Sequence, residues 1–112
     1  MTIKLVTILE EGEASVVDIG LPTELVVGTV ITGTIDIKNV GVVADDLRCL
    51  FITEWNNKGY QAIFSAVPVG TTVRSTIPAS LGIIMPSVDA VVTVHGQHDE
   101  AGVWVTDDTK TH

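Results

Sequence analysis

Cysteine occurs once in this 112-residue chain, at Cys49, so no intramolecular disulfide can form. Aromatic residues make up only 4 %, with two Trp, two Phe and one Tyr, which argues against a carbohydrate platform of several coplanar rings. Basic residues are also scarce, with 6 Lys and Arg against 14 Asp and Glu, for a formal charge of −8. Such a field repels phosphate backbones and anionic lipid, and no Lys/Arg cluster overcomes it locally, which argues against nucleic-acid binding. Long apolar runs are missing too, so no membrane insertion is expected. The amino-terminal run "MTIKLVTIL" is short and interrupted by Glu10 and Glu11, unlike a signal peptide, so the expectation is synthesis in a cytoplasm.

Catalytic signatures are equally absent. No serine sits in a Gly-x-Ser-x-Gly elbow, and "GTVITG" lacks the lysine of a phosphate-binding loop and leads into no helix. The expectation is a protein that is not an enzyme and uses no cofactor.

What the sequence does contain is alternation. In "GTVITGTIDIKNVG", Ile31, Gly33, Ile35 and Ile37 point one way and Thr32, Thr34, Asp36 and Lys38 the other, the period of a half-buried strand. Asn39 and Gly41 then read as turn residues that tolerate positive φ. "DLRCLFITEW" places Leu47, Cys49, Phe51 and Trp55 on one parity, which buries the thiol. "TTVRSTI" sets Val73, Ser75 and Ile77 together, "NNKG" supplies hairpin chemistry, and "SVDAVVTVHG" and "VWVTDDTK" read as a hairpin across "GQHDEAG". No segment carries a helical stripe. About seven to nine short strands separated by turns predict one all-β domain over residues 1–112, a two-sheet antiparallel β-sandwich with little or no helix. Residues 1–10 read as a terminal strand able to pair with a partner's sheet edge.

The run "LPTELVVGTVITGTIDIKNVGVVADDLRCLFI" resembles the opening of prokaryotic and viral immunoglobulin-like domains of the CARDB or fibronectin-III-like type. The matching residues are Pro22, Gly28, Asn39 and Gly41, and "PVGTTVRSTI" resembles the lead into strand E of such domains. The antibody-type disulfide and tyrosine corner are missing, and Trp55 ends its strand instead of occupying the middle. The resemblance implies an immunoglobulin-like strand order and a role as a spacer, adhesion or assembly module.

Three groups of residues are candidates for chemistry or contact. His95, His98, Asp99 and Glu100 crowd into "HGQHDE", read as one turn, where the histidines converge on zinc or nickel with Asp99 or Glu100 as third ligand, or simply cap a solvated loop tip. Asp45-Asp46 and Asp107-Asp108 are adjacent pairs, and in a regular strand neighbours face opposite ways and cannot form a carboxylate dyad. Trp55, Tyr60 and Trp104 are candidate interface anchors, with Trp104 on an outer sheet face.

Together these features favour a structural or assembly module acting through protein–protein contacts, by self-association or on a repeated protein lattice. Its most concrete form is a virion-associated decoration or tail accessory protein. The alternative is a carbohydrate- or metal-binding sandwich.

Overall fold

The computed structural model describes residues 2–3, 11–55 and 59–112. Apart from residues 2–3, the expected terminal strand lies outside them, as does the Asn56-Asn57-Lys58 part of the expected hairpin turn.

Seven strands form two antiparallel sheets: β1 (Ala14–Gly20), β2 (Gly33–Asn39), β3 (Asp45–Thr53), β4 (Gly59–Val67), β5 (Thr72–Ile77), β6 (Val92–Glu100) and β7 (Val103–Thr111). The orders are β1-β2-β5 and β4-β3-β6-β7, so the chain crosses between sheets after β2, β4 and β5. This is an all-β two-sheet sandwich with an immunoglobulin-type succession, β4 pairing with β3 and not with β5. The only helical piece among the described residues is a 3-10 turn at Ala79–Leu81.

Period-two patterning decides which faces meet. Ile35 and Ile37 from β2 and Ile77 from β5 pack across the sandwich onto Leu47, Cys49 and Phe51 of β3 and Val94 of β6, all essentially solvent-free. Burying a side chain such as Phe51 contributes about 2–3 kcal/mol, and truncating it to alanine would cost roughly 3–5 kcal/mol. The Cys49 thiol lies in this core, and burial pushes its pKa up despite a hydrogen bond with Ser75 that acts to lower it.

The turn after β2 works differently from the sequence expectation. Asn39 ends the strand with its side chain buried: Nδ2 donates to Val43 O and Val67 O, each at 2.9 Å, and Oδ1 accepts from Gly41 N at 2.9 Å and Glu13 N at 3.3 Å. Gly41 is not among the positive-φ residues. It is required because the chain before β1 crosses directly over it: a Cβ there would stand 2.5 Å from Glu13 N and 2.6 Å from Glu11 O. The alternating strand also starts later than the sequence suggests. Residues 28–31 instead pair with residues 83–85, through Ile31 N to Ile83 O and Met85 N to Thr29 O.

Candidate functional site

The "HGQHDE" stretch is strand, not loop tip. It occupies the last part of β6, and the reversal falls on Ala101-Gly102, both at positive φ. A strand sends His95 and His98 to opposite faces, so they do not converge as expected. His95 lies on the outer face with Nδ1 2.7 Å from Thr109 Oγ1. Asp99 also leaves the proposed ligand set, because its Oδ1 accepts the Gly102 N–H at 2.9 Å and closes the turn. His98 points inward and is 3 % exposed.

Three features of the chain build the surroundings of His98. Glu100 is two residues further along β6 and shares its face. Asp107 is the extra residue of a bulge in β7, where Gly96 pairs with Asp108 and Gln97 with Thr106. Glu11 arrives from the segment before β1, which lies close over β6 because small residues meet there. A Cβ on Gly96 would stand 3.3 Å from Ala14 Cβ and from Val16 Cγ2. The backbone of that segment is pinned by Val42 N to Glu11 O at 3.1 Å and Gly12 N to Asp45 Oδ2 at 3.1 Å.

The resulting geometry is asymmetric about the imidazole. Asp107 faces Nδ1 with both oxygens, at 2.7 and 2.9 Å, which fixes the proton on that nitrogen. Nε2 faces Glu11 Oε2 at 3.5 Å and Glu100 Oε2 at 3.8 Å. Burial alone would lower the His98 pKa. The hydrogen bond and charge of Asp107, joined by Glu11, outweigh burial and hold it above the ordinary histidine value. The Asp–His pair has the form of a triad's basic half, yet Nε2 meets carboxylates and hydrogen-bonds no hydroxyl or thiol among the described residues.

The bulge also overturns the alternation argument for Asp107-Asp108. Both carboxylates turn to the same side, Asp107 Oδ2 accepting Ala14 N–H and Asp108 Oδ2 accepting Val16 N–H, each at 2.8 Å. Asp45 and Asp46 likewise spend oxygens on backbone, at Gly12 N, Asp46 N and Ala66 N.

The aromatic candidates occupy three separate settings. Tyr60 packs against the core from β4, and Trp55 does so while its Nε1 donates to Ile84 O at 3.2 Å. Trp104 stands on the outer face of the four-stranded sheet, with the Arg48 guanidinium 4.9 Å above its ring. Arg48 is held in place by Gln97 Oε1 and Gln61 Oε1, so this tryptophan is covered.

At the other end of the sandwich lies an open cleft of about 560 Å³ lined by Leu21, Leu25, Ile31, Met85 and Val92, with Glu24, Asp89 and His112 among its polar residues. The two loops that form it expose aliphatic side chains: Val26 is 75 % exposed, Val27 60 % and Val88 67 %, and Val30, Ile84 and Val91 are exposed beside them. The sequence hints at such a surface only through its composition, 46 % hydrophobic against 18 % charged residues.

Comparison with known protein families, curated proteins and solved structures finds no match to this chain in any of the three.

Proposed function

We propose that this protein is a non-enzymatic structural and assembly module that makes protein–protein contacts through the apolar end formed by loops 21–32 and 82–91. The observation that carries this reading is the gathering of six exposed aliphatic residues on two loops that hydrogen-bond to each other, Val30 bridging Ile84 and Gly28 N donating to Met85 O. Exposed apolar side chains are ordinary when scattered, but contiguous ones next to an apolar cleft are what contact surfaces use. The outer face of β2 and β5 supplies the contrast, with Thr34, Asp36, Lys38, Thr72 and Arg74 and a two-point Arg74–Asp36 pair at 2.8 and 3.0 Å. An array of copies, as on a particle surface, is the most concrete setting for such a module.

Light scattering behind a sizing column, over a wide concentration range, tests the reading. Mass should rise with concentration, and Val27→Glu with Val88→Glu should return the chain to monomer while circular dichroism stays unchanged. A monomer at every concentration, identical for the parent and this variant, overturns self-association through this end.

A further inference from the structure

His98 Nε2 is a buried nitrogen that has no hydrogen-bond partner among the described residues. Leaving a buried polar atom unsatisfied costs about 1–3 kcal/mol, and native structures seldom tolerate it without a reason. The atom is aimed at Glu11 Oε2 and Glu100 Oε2, at 3.5 and 3.8 Å. Both separations exceed the ~2.7–3.2 Å of an N–H···O hydrogen bond. They suit a different geometry. Donor atoms held ~2.0–2.1 Å from a tetrahedral zinc ion stand about 3.3 Å from one another. All three donors here lie within 4.8 Å of one another, so small side-chain shifts bring them onto one centre.

We propose that Glu11, His98 and Glu100 form a three-ligand site for a divalent transition ion of the zinc class, with water in the fourth position and Asp107 orienting the histidine from behind.

Four observations converge on this assignment. Asp107 accepts the hydrogen bond of Nδ1–H and leaves Nε2 to coordinate, the carboxylate–histidine arrangement that supports metal-binding imidazoles. Asp107 is itself anchored by Ala14 N–H, so the ring cannot swing away freely. No Lys or Arg among the described residues pairs with Glu11, Glu100 or Asp107, so His98 is the one basic group beside them there. Glu11 and Glu100 side chains are 44 % and 45 % exposed, which gives an ion a path from solvent to the buried nitrogen. The nitrogen donor selects zinc-class ions over calcium and magnesium, which prefer all-oxygen sets. When His98 is an imidazolium, binding forms the metal–Nε2 bond and releases the Nε2 proton to water, so protons and ion compete.

The ion would tie the segment before β1 to the β6–β7 hairpin, a structural role independent of the contact surface at the opposite end. Its failure would leave the assembly reading standing, and the reverse also holds.

The full chain, stripped with chelator, should be titrated with zinc chloride by calorimetry and then with cobalt chloride by visible absorption. The expected result is one ion per chain, cobalt bands of a low-coordinate site, and a melting temperature raised by about 10 °C at a hundredfold excess over Kd. Glu11→Gln and Glu100→Gln should each weaken binding at least tenfold, Asp107→Asn about 10–100-fold, and His95→Ala not at all. The two glutamates are exposed enough that their variants should fold, so they decide the matter even if a His98 variant does not. No saturable binding up to about 1 mM zinc overturns the site. So does zinc binding that survives both glutamate substitutions, because the ion would then be held elsewhere.

Discussion

Asp107 and Asp108 are neighbours in sequence, yet their carboxylates accept the N–H groups of Ala14 and Val16, two residues apart on one edge of β1. Lys110 Nζ adds a hydrogen bond to Val16 O. The edge of one sheet is thus laced to the edge strand of the other by side chains, where a continuous sheet would have used backbone.

Removing one lace should leave a backbone group unpaired, the Val16 N–H for Asp108 and the Val16 carbonyl for Lys110. Asp108→Ala is expected to cost about 1–3 kcal/mol, and Lys110→Met less, because the ammonium side chain is half exposed. Urea denaturation followed by circular dichroism measures both. An Asp108→Ala midpoint equal to the parent's would show that Val16 N–H finds water instead.

Asn39 holds a buried four-bond junction, so Asn39→Ala should be among the most damaging polar substitutions, on the order of 3 kcal/mol. Asn39→Asp should be worse still. It keeps the acceptor but aims a buried charge at two carbonyl oxygens. The order of the two unfolding midpoints checks this.

Ala101 and Ala66 both hold positive φ, at 52° and 49°. The Ala101-Gly102 reversal has the backbone of a hairpin turn that favours Asn-Gly, so Ala101→Asn should stabilise by about 0.5–1 kcal/mol. Ala66→Gly should help less, since glycine also gains entropy when unfolded. A thermal melt that leaves Ala101→Asn below the parent would mean the turn is not strained.

The raised pKa of His98 has a definite sign in metal-free protein. Its stabilising contribution is complete below the unfolded value near 6.5 and is lost as pH rises through the higher folded value. Asp36 behaves oppositely: Arg74 holds its carboxyl below the usual range, so that contribution exists above about pH 4 and fades as pH falls through the folded value. Denaturation midpoints from pH 3 to 9, with chelator present, should therefore decline at both ends. His98→Gln, if folded, should flatten the alkaline side alone.

These sites differ in how far the sequence discloses them. Ile35, Ile37, Leu47, Phe51 and Ile77 were readable because period-two burial is local and each strand states its own inner face. His98 was legible as a candidate ligand, but as part of a turn, since four polar residues in a row, Gln97 to Glu100, imitate a loop. Its true neighbour Glu100 follows from strand parity. Glu11 does not: it reaches His98 only after two sheets close over the small pair Ala14 and Gly96, a long-range event without a local signal. Asp107 was masked by the bulge, because one inserted residue cancels the alternation from which its direction was inferred.

The lacing between β1 and β7 also decides which flank of the sandwich stays open to other chains. With those two edges occupied, the strand edges left for a foreign strand among the described residues are β4 and β5, which lie together on the opposite flank. A neighbour that donates a strand therefore has one docking flank to choose from.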